Sequence, residues 1–244
     1  MTNPDSKGKP SVILIHGFGF HSFVWEPVAT RLAANYTVHR LTLAGYDGTP
    51  DRFNGQDSGQ LVEYEDAHWV GWSMGGLVAL SAIESGLCPR SLTLLASLPC
   101  MVEHEDWPHA IGASAFEDFR RRIQLDSEAA MRYFAALVAH GDDQAQQIRD
   151  QLQAAPIPGR LTLERGLDLL EHTDLRDTWT RCRAPQQCIL GGRDALIPAD
   201  AGRALRTLRP ETRFDLVARS GHALPLSEPD RCTELMRAFW ESLG

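Results

Sequence analysis

Residues 70–76 read VGWSMGG: two apolar or aromatic residues and a glycine lead into one serine, and two glycines follow within three positions. A Gly-x-Ser-x-Gly pattern arises by chance in roughly one chain in ten of this length, so its flanks decide what it means. Ahead of the serine, HWVGW is an apolar run with the look of a buried strand. Behind it, GGLVALSAIESG reads as a helix stopped at Gly86. Strand, serine, helix is the setting of a nucleophile elbow. In that turn the serine takes a strained backbone, and its neighbours two positions away must be small because strand and helix cross closely. Gly71 and Gly75 meet that need, and Gly76 lets the helix approach the sheet.

The same alternation runs outward in both directions. SVILIHG (11–17) is a β-branched run ending in glycine, SFVWEPVATRLAANY puts Val24, Val28 and Leu32 on one helical face, VHRLTLAG reads as strand and LVEYED as a short helix. Beyond the elbow, SLTLLAS, QCILGG and RFDLV are further apolar strands. TELMRAFWESL closes the chain as a helix with Leu235, Met236, Phe239 and Trp240 on one face. Strands and helices in turn predict an α/β fold, a mostly parallel sheet wrapped on both faces. From about Cys100 to Arg176 the rhythm breaks. FEDFRRRIQL, SEAAMRYFAALVAH, DQAQQIRDQLQ and LERGLDLLEHTDL are amphipathic helical stretches with no strand among them. The expected organisation is a core in two parts, residues 1–99 and 177–244, with a helical insertion at 100–176 lying over the sheet.

Composition narrows the function classes. The 244 residues are 43% hydrophobic and 23% charged, which suits a globular enzyme, and the net charge of -8 argues against general nucleic-acid or anionic-membrane binding. Lys7 and Lys9 are the only lysines, so every later cation is an arginine, a side chain suited to bidentate anion recognition. The start, MTNPDSKGKP, lacks a signal-peptide apolar region, and VILI is too short to span a bilayer, so a cytoplasmic protein is expected. Cys88, Cys100, Cys182, Cys188 and Cys232 make an odd count without a CxxC pair and read as reduced thiols rather than disulfides or a metal site.

The elbow puts Ser73 at a helix N-terminus, where free N–H groups and the helix dipole favour developing negative charge. Met74 N–H is one expected oxyanion donor. Phe18 N–H, in the glycine-flanked HGFG at 16–19, is the second, and each such donor is worth about 3 to 4 kcal/mol in a transition state. Of nine histidines, His222 follows a strand in RSGHALP near the C-terminus, where a doubly wound sheet presents its site loops. Asp194 lies between serine and histidine in chain order, in GGRDALIP directly after the strand QCIL. Asp200 is its rival, but IPADAGRAL reads as a helix start, where a surface cap is the commoner role. Ser73 as nucleophile, His222 as base and Asp194 as orienting acid give acyl transfer through a covalent intermediate. That chemistry calls for no metal and no organic cofactor.

With HGFG, GWSMGG, GGRDALIP and SGHALP in this order, the whole chain resembles an α/β-hydrolase. GWSMGGLVA, ASLPC with DWP following, and GLDLLEHTDLRD resemble more closely the pimeloyl-[acyl-carrier protein] methyl ester esterases of biotin synthesis, the BioH type. The resemblance implies hydrolysis of the methyl ester on a pimeloyl chain carried by acyl carrier protein, with no nucleic-acid or membrane partner, by an enzyme expected to be a monomer. It implies a helical cap with an apolar slot, for which Phe18, Trp107, Tyr133, Phe134, Leu137 and Val138 are candidates. It further implies carrier-gripping arginines, which fall at Arg132 and Arg149. Glu128 and Ala145 stand at other family arginine positions, and residues 100–176 hold eight arginines against fourteen acidic residues. Arg120, Arg121 and Arg122 could compensate at the mouth, although a solvated helix face is their commoner role. DWPH replaces the family's usual glycine after Trp-Pro, and the segment from Gly45 to Ser73 is several residues short. Two other readings share many of these features: a broad short-chain carboxylesterase, and, in a different class, a non-catalytic binding protein on the same fold.

Overall fold

The structure, a computed structural model, describes residues 8–46 and 57–244, without the side chains of Asp57 and Ser58. Lys7 and the middle of the short Gly45 to Ser73 segment lie outside the described residues. Six strands form one sheet: β1 (Ser11–Ile15), β2 (Thr37–Leu41), β3 (His68–Trp72), β4 (Ser91–Leu95), β5 (Gln186–Gly191) and β6 (Arg213–Val217). Their order is β2-β1-β3-β4-β5-β6 and every pairing is parallel. Residues of β3, β4 and β5 are buried throughout, as expected for central strands covered on both faces. The edge strands β2 and β6 are only partly buried and carry Arg40, Arg213 and Asp215.

Helices lie between the strands and after the last of them: α1 (Glu26–Leu32), α2 (Met74–Glu84), α3 (Ala113–Leu125), α4 (Ser127–Ala139), α5 (Ala145–Gln153), α6 (Arg160–His172), α7 (Arg176–Arg181) and α8 (Ala201–Leu208) in crossovers, α9 (Leu224–Ser227) and α10 (Pro229–Glu241) beyond β6. The helical stretches read between Cys100 and Arg176 form α3 to α6, between β4 and β5. Only isolated bridges, such as Cys100 to Asp174, add β pairing there among the described residues. The LVEYED segment lies in and just beyond a 3₁₀ turn (Asp57–Tyr64), and Val24, Val28 and Leu32 are fully buried, Val24 from a 3₁₀ turn that precedes α1. The short α7 carries no periodic signal strong enough to have been read from the sequence.

Sheet order positions the site. The chain leaves β1 towards β2 on one side, then crosses to β3 on the other, so the C-terminal ends of β1 and β3 border a topological switch point. Ile15 pairs with Gly71, Trp72 with Leu95, Leu95 with Ile189, and Gly191 with Val217. The HGFG loop, the elbow, the loop of Asp194 and the loop of His222 therefore all leave the same edge.

Two histidines are locked neutral inside this frame. His16, fully buried, bonds through Nδ1 to Gly17 O (2.8 Å) and accepts from Leu43 N–H at Nε2 (3.0 Å). Burial pushes it down to about 4 from 6.5, against the pull of the Gly17 carbonyl and with a small push from His21. His68 stacks on Trp240 at 4.7 Å and meets Ser91 Oγ at 2.7 Å; burial, then Arg90, pushes it down to about 4 as well. Because the folded values lie below the unfolded ones, the unfolded chain binds more protons between them. Stability from these groups is full above about pH 6.5 and falls as pH drops towards 4, by up to about 1.4 kcal/mol per pH unit for each histidine. The thermal midpoint should decline through that window, and His68→Gln should flatten the decline. A midpoint unchanged from pH 6.5 to 4.5 would contradict this.

Candidate active site

Ser73 sits at φ 54°, ψ −124°, a backbone region that costs a non-glycine residue about 1 to 3 kcal/mol. The glycines around it explain why the chain accepts this. A Cβ on Gly71 would lie 2.5 Å from backbone atoms of Gly75 and Gly76, and one on Gly75 would collide with the carbonyls of Ile15 and His16. One on Gly76 would collide with Ser97 Oγ, and one on Gly17 would come within 3.0 Å of Ser73 Cβ. The turn is held by hydrogen bonds from Ser73 N–H to Leu95 O (3.0 Å), from Ser97 Oγ to Ser73 O (2.6 Å) and from Gly76 N–H to Ser73 O (2.9 Å). Ala96, the second non-glycine residue with positive φ (44°), directly precedes Ser97.

The acid and the histidine meet. His222 Nδ1 lies 2.8 Å from Asp194 Oδ2, and both side chains are out of solvent, at 1% and 0% exposure. Asp194 Oδ1 accepts from the N–H groups of Leu196 (2.8 Å) and Ile197 (3.0 Å), so the carboxylate is saturated by donors before it orients anything. With Nδ1–H spent on Asp194, the Nε2 lone pair is the free base position. Nε2 is buried and makes no hydrogen bond among the described residues. Trp72, beside the serine, donates its indole N–H to His222 O (2.9 Å), with ring centroids 5.6 Å apart. Asp200 sits at the N-cap position of α8 without making a side-chain cap bond, and instead approaches His109 at 3.4 Å.

Ser73 opens into a cavity of about 290 Å³. Phe18, Ala195 and Leu196 line it from the core loops; α3 and α4 add Phe116, Phe119, Tyr133, Phe134 and Leu137, and α6 adds Leu167 and Leu170. Phe18 meets Phe119 and Phe134 edge to face, which fixes one wall. Among the described residues neither Phe18 N–H nor Met74 N–H donates a hydrogen bond. Trp107 stands apart from this lining. It is buried, donates its indole N–H to Cys100 O (3.1 Å) and carries the Arg176 guanidinium 5.4 Å above its ring. Val138 is likewise fully buried and outside the lining. A more open groove of about 440 Å³, along Ile83, Cys88 and Arg181, includes no residue of the elbow or of the histidine and acid loops.

The arginines divide by environment. Arg120 binds Asp168 (2.8 Å) and Glu171 (2.6 Å), tying α3 to α6, and Arg121 pairs with Asp118. Arg122 instead lines the cavity, its guanidinium 4.9 Å over the Tyr133 ring. On α4 and α5, Arg132 faces Glu128 (3.5 Å), while Arg149 binds Gln146 Oε1 (2.6 Å) and approaches Asp150 (3.5 Å). The five cysteines are free; burial pushes Cys100 up to about 11 and raises Cys188 and Cys232 too, so these thiols stay protonated. Among the described residues no group of three His, Cys, Asp or Glu side chains could hold a metal ion, and no helix is long and apolar enough to cross a membrane. Sequence reasoning missed Trp72 and Ser97 as supports of the site, because a tryptophan in a strand and a serine after one carry no signal of what they bond.

Three comparisons place this geometry. A model of the Alpha/beta hydrolase family matches residues 12–235. The pimeloyl-[acyl-carrier protein] methyl ester esterases of Xylella fastidiosa (strain 9a5c) and Xanthomonas axonopodis pv. citri (strain 306) are 35% and 33% identical to this chain, each over 96% of both sequences. Among solved structures, a bromoperoxidase from Bacillus anthracis superposes with a TM-score of 0.84 at 20% identity, covering 96% of this chain and 92% of its own, a likeness of fold alone. This chain belongs to the alpha/beta hydrolase family, within the group of carboxylic ester hydrolases for which these esterase relatives are named.

Proposed function

We propose that the protein is a serine carboxylesterase that hydrolyses the methyl ester of pimeloyl-[acyl-carrier protein], with Ser73, His222 and Asp194 as its catalytic groups. The observation that carries the chemistry is the desolvated His222–Asp194 pair, set on the same sheet edge as a serine held at positive φ and opening into an apolar cavity. Catalytic hydrogen bonds often tighten only when substrate binds, so Ser73 Oγ closes on His222 Nε2 as the ester enters. His222 takes the hydroxyl proton while Oγ adds to the ester carbonyl. The oxyanion faces the N–H groups of Phe18 and Met74. Collapse of the tetrahedral intermediate releases methanol, protonated by His222, and leaves an acyl-serine. Water, deprotonated by His222, adds to that carbonyl and frees the carboxylate, returning the proton to Ser73.

In this reading residues 100–176 act as a cap on a core made of 1–99 and 177–244. Phe18, Tyr133, Phe134 and Leu137 hold the apolar chain, and Trp107 supports the cap without touching substrate. Arg132 and Arg149 meet the acidic carrier, which places the enzyme in the cytoplasm. Both arginines are already engaged by side chains of their own helices, and this favours a second reading, a short-chain carboxylesterase that needs no carrier.

Ser73→Ala should lower kcat by at least about 10⁴, since loss of a triad nucleophile costs about 10⁶ elsewhere, and a serine-directed phosphonate should label the wild type at Ser73 alone. Turnover close to wild type in the variant would end the assignment. Arg132→Glu and Arg149→Glu should slow hydrolysis of the carrier-bound methyl ester while sparing a small aryl ester. Activity on the aryl ester alone, in the wild type, would select the second reading.

A further inference from the structure

The turn between α4 and α5, residues 140–144, reaches from the helical insertion to the loops that carry Asp194 and His222. Gly141 (φ 89°) lies so near Arg193 that a Cβ would collide with the Arg193 carbonyl. Asp142 is buried, and its Oδ1 accepts from the Ser220 hydroxyl (2.7 Å) and the Gly221 N–H (2.8 Å), the two residues immediately before His222. Its Oδ2 is buried with no hydrogen-bond partner among the described residues, and a Cβ on Gly221 would stand 3.0 Å from it and collide with His140 O. Ser220 Oγ also lies 2.8 Å from Ser227 Oγ; with the Ser220 proton given to Asp142, Ser227 is the donor there, and Ala223 O (3.2 Å) is its alternative acceptor. Arg193 N–H donates to Ser220 O (2.9 Å), joining the acid loop to the histidine loop.

We infer that Asp142 is a positioning residue for His222: from the helical insertion, its carboxylate sets where the imidazole stands relative to Ser73. The inference rests on the Ser73–His222–Asp194 reading. Its basis is geometric. The loop that carries the imidazole is pinned by two hydrogen bonds to one oxygen of Asp142, so those bonds set where Nε2 stands when the serine hydroxyl closes on it. A neutral side chain could accept those two bonds as well, so the unpaired second oxygen is the part that packing does not explain. On this inference it carries negative charge against the loop that holds the imidazole. Among the other charges around this loop, Asp143 is shared by Arg193 (3.2 Å) and Arg219 (2.8 Å), which leaves one positive charge in excess. Asp194 bonds the ring directly, and at the α10 side stand Glu228 and Cys232, the thiol of which burial keeps protonated. Asp194 thus holds the histidine and Asp142 its loop, each from a buried carboxylate.

The test uses a small aryl ester, with active sites titrated by a phosphonate and folding followed by thermal midpoint. Asp142→Ala should lower kcat per titrated site by about 10- to 100-fold, the scale of a misplacement of about 1 Å, with KM within about twofold. Asp142→Asn keeps an acceptor for Ser220 and Gly221 and should recover most of that loss. It also removes the charge, so the acidic limb of its kcat/KM profile should move to lower pH by about 0.5 to 1 unit. Wild-type kcat per titrated site in Asp142→Ala would overturn the inference, since a purely structural aspartate lowers only the midpoint and the number of sites. If Asp142→Ala does not fold, an unmoved acidic limb in Asp142→Asn overturns it instead. Ser73→Ala or His222→Ala retaining turnover would remove the underlying triad reading, an outcome distinct from either.

Discussion

The close crossing of β3 and α2 is the constraint on which the site depends. Hydrogen atoms alone at residues 71, 75 and 76 let the helix lie against the strand and against the carbonyls that end β1. A chain that must turn from strand to helix in so little room has one residue to do it, and that residue takes a positive φ. Hydrogen bonds from Ser97 and to Leu95, each worth about 1 kcal/mol net, hold it against a strain of comparable size. Its return is placement: the side chain of Ser73 stands at a helix N-terminus, in a wall of the cavity, with the first-strand loop at its back.

The same economy governs the acid and the histidine. A buried carboxylate is costly unless donors saturate it, and Asp194 accepts from two backbone N–H groups as well as from His222. Those two donors come from its own loop, so the acid is held independently of the histidine. Trp72 then closes the circuit: the residue next to Ser73 holds the carbonyl of His222, across a separation of 150 positions. Ser73 and His222 are therefore linked through a rigid indole.

What could be read from the sequence is what local chemistry enforces. Glycine spacing around Ser73 is a steric requirement, strand runs are hydrophobic periodicity, and the loop positions of Asp194 and His222 follow from where strands end; all of these were legible. Contacts chosen by tertiary packing were not. Trp107 looked like a substrate contact because it is aromatic and sits in the insertion, but its indole is committed to Cys100 and Arg176. Asp200 read as a helix cap and bears no cap bond. Asp142, in an acidic helix-to-helix turn, is indistinguishable in sequence from a solvated one; only the fold brings it to Ser220 and Gly221. Arg120, Arg121 and Arg122 form one run, yet two bind carboxylates and the third faces the cavity, a difference of helical phase and neighbours rather than of residue type.

On the proposed reading, the charge of the insertion limits how a carrier protein is recognised. An acidic insertion repels an acidic partner at long range, and at physiological salt that repulsion is screened beyond about 8 Å. Contact at Arg132 and Arg149 then means exchanging a carboxylate on the same helix for one on the carrier. Exposed helix pairs are worth only about 0.3 to 0.5 kcal/mol, so the exchange costs little, but it also gains little. Docking of this kind supplies neither fast steering nor tight binding by charge alone. On that reading discrimination has to come from the apolar cavity, where Phe18 packs edge to face on the stacked pair Phe119 and Phe134 and the three form a fixed wall. If the proposed function holds, it is selectivity for an acyl chain, rather than affinity for its carrier, that this arrangement of residues delivers.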